Sequence, residues 1–423
     1  MNPADSPLRL EYGQGPGGLR VVRQPPPAGA ATFSATYVAP AGWAFDPGGA
    51  AGTARLVNQL VTSGAGRWGR VALARRLDRA GATLTTETSP ESAEVTVWGP
   101  ADEWEPLMRI LAEVVRRPRF DASDIARARR QMQERQLRQR TQPAARAHLE
   151  LLRAVFPAPH PYRETGIGDA RTLARIDRTG LVRFHAARYG STDALLVVTA
   201  AAGLSVVERV ARRLFDDLPD GAPGQIDVPR LGPAKHRRVE VDLPGRSQVE
   251  VRVGGPSIPQ SAPEYPGGFL ANQVLGGRPL IARLFQTVRE KSGLAYGASS
   301  RLETLRYGGW WVAGAGTGPD RWKRVVPLVE REVDRMRSTL VGASELERTR
   351  ESSIGEIPLG LETTAEAHEL AVDAAYHELP ADFWLTWPER LRAVSRREVR
   401  EGAAATFDGR RAVTVVVGPL DGR

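Results

Sequence analysis

Two stretches of this chain follow the same order of elements, and a repeat of that length constrains the architecture more than any single motif can. In the first half, Arg55-Leu56-Val57-Asn58-Gln59-Leu60 opens a helical pattern. A second helical pattern follows at 71–79, Gly81-Ala82 turns the chain, and runs at 83–88 and 93–98 alternate. In the second half, Phe269-Leu270-Ala271-Asn272-Gln273-Val274 opens the pattern, 280–290 continues it, Gly293-Leu294 turns the chain, and 295–303 and 308–314 alternate. The offset is 214 residues at Asn58/Asn272, 221 at Ser123/Ser344 and 218 at Ala194/Ala412, which is steady enough to mean duplication. Each half places strands ahead of most of its helices. That order predicts an α+β class: two homologous repeats, each an antiparallel-rich sheet covered by helices on one face.

Between the halves, Leu218-Pro-Asp-Gly-Ala-Pro-Gly224 and Pro229-Arg-Leu-Gly-Pro233 crowd helix and strand breakers together. The expected organisation is an N-terminal repeat over 1–215, a linker over 216–236 and a C-terminal repeat over 237–423. The chain has no cysteine, which excludes disulfides, thiolate metal sites and a cysteine nucleophile. Its net charge of +9 permits an acidic partner but does not name one. No apolar run approaches the ~18 residues that a membrane helix needs, and no signal-peptide core follows Met1. A cytoplasmic protein with no membrane partner is expected.

The motif text is specific. Ala41-Gly42-Trp43 is followed by Gly52-Thr53-Ala54-Arg55-Leu56-Val57-Asn58-Gln59, then by Gly81-Ala82-Thr83-Leu84-Thr85-Thr86-Glu87-Thr88-Ser89-Pro90-Glu91. The second half carries Asn272-Gln-Val-Leu-Gly276-Gly277-Arg-Pro-Leu-Ile-Ala-Arg283-Leu284-Phe285, then Arg289-Glu290-Lys291-Ser-Gly293-Leu294-Ala295-Tyr296. The chain resembles the insulinase/pitrilysin-type zinc peptidases, in the branch of the mitochondrial processing peptidase and its bacterial relatives. The first stretch matches that family's G-(T/L)-A-H-x-x-E-H segment, and the second its LGGG-x-x-SRLF-x-x-(L/V)REK-x-GLAY segment. The resemblance implies one half of a clam-shell chamber, the other half being a second two-domain subunit.

His-x-x-Glu-His works because two imidazoles one helical turn apart hold zinc, while the carboxylate beside them takes a proton from the metal-bound water. Here Arg55, Asn58 and Gln59 stand in those places. Arginine is a permanent cation, and an amide is no general base near neutral pH. The third ligand position is expected at Ala126, with Ala128 as its neighbour. The six histidines, His148, His160, His185, His236, His368 and His377, include no i, i+4 pair and are expected at surfaces or helix ends. No metal and no cofactor is expected on this chain, zinc belonging to a partner.

In the two-subunit branch, the Arg and Tyr of the second segment sit on the subunit without zinc and reach the substrate at the other subunit's metal. The resemblance therefore implies that Arg289 and Tyr296 are substrate-binding and oxyanion-stabilising residues, with Gly276 and Gly277 as a loop that contacts substrate. Read on the residues alone, Arg289 is a helix-end cation and Tyr296 a strand tyrosine, and Gly276-Gly277, a shorter loop than the family's, reads first as a helix terminator and turn. The implied function is that of a zinc-less partner subunit of a heterodimeric metallopeptidase. It would be inactive alone and would act on unstructured peptides once paired with a homologous zinc-bearing subunit. Isolated, the chain is free to form a homodimer. A scaffold subunit resembling the respiratory core proteins is the alternative. A nucleic-acid reading from Arg127, Arg129, Arg130, Arg135, Arg138 and Arg140 comes third, because these residues fall on no single stripe and no aromatic interleaves them; no nucleic acid is expected as a partner.

Overall fold

The computed structural model describes residues 9–232 and 237–420; His236 and the last four residues of the expected linker fall outside them. Among the described residues, the first sheet runs Glu11–Gln14, Arg20–Gln24, Leu195–Thr199, Thr32–Ala39, Ala93–Pro100, Thr83–Thr88. The second runs Arg237–Asp242, Val413–Gly418, Val249–Pro256, Gly308–Thr317, Ala295–Leu305. Apart from the extra strand Glu11–Gln14 the two orders coincide. In both, the pair that starts with Arg20–Gln24 or Arg237–Asp242 is parallel and every later pair antiparallel. Thr32 and Val249 open counterpart strands 217 residues apart, and Leu195 and Val413 do so 218 apart. The two repeats are thus the same α+β unit.

Strand alternation decides what each face buries. On the first sheet Phe33, Ala35, Tyr37, Leu196 and Val198 point into the main core, against the helices Thr53–Val61, Trp104–Arg116 and Leu204–Leu214. In Trp104–Arg116 the buried residues Leu107, Met108, Leu111, Val114 and Val115 recur at three- and four-residue spacing, the stripe a sheet-facing helix needs.

The expectation of helices on one face needs one correction. Among the described residues the opposite face of each sheet also carries a helix, and that helix comes from the other half of the sequence. One compact unit comprises residues up to Gln136, Thr165–Asp227 and Glu356–Thr386; the other comprises Leu137–Glu164, Val228–Gly355 and residues from Trp387 onward. The helix Thr364–Tyr376 therefore packs on Thr32–Ala39 and Leu195–Thr199, and the helix Pro143–Val155 on Val249–Pro256 and Val413–Gly418. Beneath the latter, Ala147, Leu151 and Leu152 bury themselves with Val413, Val415 and Val417. Residues 218–232 carry no helix or strand.

The helix Thr364–Tyr376 is fixed by a buried chain of hydrogen bonds. Thr36 Oγ1 lies 2.8 Å from His368 Nε2, Thr199 Oγ1 lies 2.8 Å from His368 Nδ1, and Thr199 donates to Gln24 Oε1 at 2.8 Å. Gln24 Nε2 closes the chain on the carbonyl of Ala367 at 2.9 Å. Since the Thr199 hydroxyl proton goes to Gln24, the network assigns the imidazole proton to Nδ1 and leaves Nε2 as acceptor for Thr36. Of the histidines expected at surfaces or helix ends, His160, His185 and His377 lie at helix ends, though buried, and the one that needs correcting is His368, buried inside its helix.

Burial holds the His368 imidazole down, to about 3. Below pH ~6.5 the unfolded chain takes up a proton that the folded chain refuses until about pH 3, so this residue's contribution is intact above 6.5 and is lost as pH falls. Between pH 6.5 and 5 the native chain should lose about 2 kcal/mol more stability than His368→Gln, at ~1.4 kcal/mol per pH unit. Urea midpoints at the two pH values test this; parallel losses would mean that His368 is not the group responsible.

Candidate functional site

The helix Thr53–Val61 carries Arg55, Asn58 and Gln59. Leu56, Val57, Leu60 and Val61 bury one face of it. Its N-terminus is satisfied from outside the helix. Asp46 accepts from the N–H groups of Gly52 and Ala54, each at 2.7 Å, and burial pushes its carboxyl up to about 7 against the pull of those donors and of Arg55. Gly52 sits at φ 103°, where a Cβ would also meet Leu173, so the turn into the helix requires glycine.

Each of the three residues is committed internally. Asn58 donates its amide to the carbonyls of Glu87 and Glu94 and to Thr88 Oγ1, and its Oδ1 accepts from the buried Tyr189 hydroxyl at 3.1 Å. Arg55 donates through Nε to the carbonyl of Thr165 at 2.8 Å and lies 4.5 Å from the Trp43 ring centroid. Burial and then the charge of Arg135 lower its pKa to about 10, while Asp46 and Glu87 act in the opposite sense. Gln59 donates to Gln131.

Ala126 does not join this cluster. It is exposed, and the residues of its helix that reach the other three are Gln131, by hydrogen bond to Gln59, and Arg135, by proximity to Arg55. The signal that could have found them is the buried stripe Ile125, Ala128, Met132, which fixes the inward face of the helix Ala122–Thr141 and puts 131 and 135 beside it. Imidazole and carboxylate donors are what a zinc site needs, and this cluster offers a guanidinium and amides, so it does not fit the metal. No group of three or more His, Asp and Glu is placed to hold a metal ion among the described residues.

In the second unit the counterpart helix Tyr265–Asn272 borders an open cleft of about 650 Å³ that also collects Gly276, Gly277, Phe285, Arg289 and Tyr296. The Arg289 guanidinium carbon lies 4.7 Å from the Phe285 ring centroid and 4.9 Å from that of Tyr296. Tyr296 is 87% exposed. Glu290 Oε1 stands 3.6 Å from Arg289 Nε, beyond hydrogen-bonding distance. Gly276 is buried. A Cβ there would stand 2.3 Å from Ser300 N, so glycine lets the helical segment lie directly against the strand Ala295–Leu305. Asn272, the counterpart of Asn58, accepts from Ser300 Oγ at 2.7 Å on that same strand. The strand ends its sheet, so its outer edge is unpaired among the described residues.

Comparison with known proteins agrees with this geometry. The sequence matches the profile of the insulinase family (peptidase family M16) over residues 27–161 and that of the peptidase M16 inactive domain over residues 175–353. It is 25% identical over 355 residues to an uncharacterized zinc protease of Mycobacterium tuberculosis, covering 83% of this chain and 80% of that one. It is 22% identical to a non-peptidase homolog of Helicobacter pylori, over 83% of this chain and 80% of the other. The crystal structure of a peptidase M16 inactive domain from Pseudomonas fluorescens has the same fold, with a TM-score of 0.90 at 23% identity, over 97% of this chain and 98% of that one. The chain belongs to the insulinase (M16) peptidase family.

Proposed function

We propose that this chain is the zinc-less partner subunit of a two-subunit insulinase-type metallopeptidase, and that it contributes Arg289 and Tyr296 to peptide bound at its partner's zinc. The observation that carries the reading is the contrast between counterpart positions. Asn58 is bonded at both ends of its amide and Gln59 Nε2 and Arg55 Nε donate to neighbours in the fold, whereas Arg289 and Tyr296 border an open cleft with little to bond. A guanidinium and a phenol are both donors, suited to peptide carbonyls and to an oxyanion as it forms. The attacking water and its base belong, on this reading, to a chain with an intact His-x-x-Glu-His motif.

Unstructured peptides suit such a site, since an extended segment can add to the free edge of Ala295–Leu305 by backbone hydrogen bonds. Gly276 and Gly277 are assigned to that cleft, Gly276 as the contact that sets its floor. The arginines of Ala122–Thr141 lend little to a nucleic-acid role, because Arg127 is paired with Asp124 at 2.6 Å and Arg129 donates to the carbonyl of Ile176. No helix of the described residues is long and apolar enough to cross a membrane; a cytoplasmic location is part of the proposal and does not follow from that.

Purified alone, the chain should hold no stoichiometric zinc and cleave no peptide. Metal analysis that finds about one tightly held zinc per chain, with chelator-sensitive cleavage, would sink this reading.

Mixed with a zinc-bearing homologue from the same organism, it should form a heterodimer that hydrolyses unstructured peptides. Arg289→Ala and Tyr296→Phe should leave assembly intact and lower kcat/KM by roughly 10- to 1,000-fold, the range for loss of one transition-state donor. The fall appears in kcat if the donors strengthen on the oxyanion and in KM if they grip the ground-state carbonyl. Full activity of both variants in an intact complex would reject their assignment, and co-purification with membrane proteins in place of a peptidase would favour the scaffold role.

A further inference from the structure

We propose that Arg301 sets which peptides the cleft takes: extended segments with an acidic side chain about four residues from the carbonyl that Arg289 and Tyr296 hold, a selection that rests on the function proposed for those two residues. Two guanidinium groups line the cleft, those of Arg289 and Arg301, and no Asp or Glu does among the described residues. On that function Arg289 answers the carbonyl. Arg301 is left for a side chain.

The strand Ala295–Leu305 aims it. Alternation turns Ala298 and Ser300 inward, where Ser300 Oγ donates to Asn272, and leaves Ser299 and Arg301 exposed on the other face. There burial first, then the charges of Arg252 and Arg301, lower the pKa of His148, so both guanidinium groups stand on the side of the sheet that carries the helix Pro143–Val155. The two differ in what they have left to bond. Arg252 belongs to the inner strand Val249–Pro256 and is held by Glu250 at 2.6 Å. Arg301 belongs to the end strand, its side chain is 76% exposed, and Glu303 Oε1 stands 3.5 Å from its Nη1, the outer limit of a hydrogen bond. An exposed pair so loosely made gives way to a carboxylate that a bound strand delivers in better geometry.

Register sets the spacing. Tyr296 is the bulged residue between Ala295, opposite Thr317, and Gly297, opposite Gly316, so it leaves the ladder and turns its ring to Arg289. From Gly297 the ladder runs without interruption to Arg301, a distance of about 13 Å along the strand. A segment added along the free edge advances at the same rate, and its residue opposite Arg301 comes within roughly 5 Å, Cβ to Cβ. A carboxylate there gains a charge-assisted hydrogen bond, whereas a lysine meets a like charge. Antiparallel addition puts the acid before the held carbonyl, and parallel addition puts it after.

Anisotropy titration of the full chain with short fluorescent unstructured peptides tests this without catalysis. The probes are identical but for Glu, Gln or Lys placed about four residues to one side or the other of a central bond. Binding should rank Glu over Gln over Lys on one of the two sides, with Glu at least ~5-fold tighter than Lys at physiological ionic strength and the gap narrowing in high salt. Arg301→Glu should reverse the order of Glu and Lys, and Arg410→Glu, the same charge change at a side chain 92% exposed, should keep it. Urea midpoints check folding, and Arg301→Gln, which should level the series, stands in for Arg301→Glu if that variant unfolds. No preference in the native chain, or one that the Arg301 variant leaves standing, would overturn the proposal. Cleavage with the zinc-bearing homologue separates this selection from the function beneath it. If Arg289→Ala lowers kcat/KM for every peptide and no acid preference exists, only the selection by Arg301 is rejected; if the preference holds in binding and Arg289→Ala leaves cleavage untouched, only the oxyanion role is.

Discussion

Each sheet has two faces to keep from water, while the helices that follow it closely in the chain lie on one of them. The second face is closed from far along the sequence: Thr364–Tyr376 reaches the first sheet, and Pro143–Val155 the second. Each closing helix has to find a specific seat, and the two seats differ in chemistry. The second sheet offers valines to Leu151 and Leu152, an apolar contact whose burial stabilises by about 25 cal/mol per Å². The first offers Thr36, Thr199 and Gln24, and a buried imidazole with both nitrogens bonded. Unpaired, those groups would cost ~1–3 kcal/mol each, so the polar seat penalises wrong registers more than it rewards the right one.

The same accounting explains how the helix Thr53–Val61 is held without a metal. In a zinc peptidase, ligation would join this helix to its neighbour. Here Asn58 joins it to the strands Thr83–Thr88 and Ala93–Pro100 through backbone carbonyls, and Gln59 to Ala122–Thr141 through Gln131. Amides can do both because they donate and accept without a charge to desolvate. Arg55 brings a charge whose burial lowers its pKa against the pull of Asp46 and Glu87, and the Trp43 ring and the Thr165 carbonyl hold its side chain.

What could be read from the sequence was local or periodic. The duplication was visible as a nearly constant offset, and the shared order of five strands follows from it. The segment from Asn272 to Tyr296 was legible because its residues sit within one helix–turn–strand passage, where spacing nearly fixes position. The two closing helices were not, since Thr36 meets His368 across 332 residues and nothing in either stretch names the other. His368 was missed for the same reason: a histidine on a helix reads as surface until its distant partners are known. Ala126 failed more narrowly. Between Gln59 and the facing helix lie two helices and a hairpin, and a shift of five residues separates Ala126 from Gln131.

The arrangement around Arg289 suggests why its segment takes the form it does. Phe285 stands one helical turn before Arg289 and Tyr296 just beyond the turn, so a single short passage places both rings within 5 Å of the guanidinium. Rings contact a guanidinium through its face and leave its N–H edge unspent. A carboxylate would hold the arginine as firmly but would consume that edge, and Glu290 at 3.6 Å stays out of hydrogen-bonding range. Tyr296 gives its ring to the arginine and is 87% exposed, so that on the proposed function its hydroxyl is open to substrate. Held by faces and free at the edge, the pair is preorganised without being satisfied, which is the condition a donor must meet if its best partner is an oxyanion that exists only during a reaction.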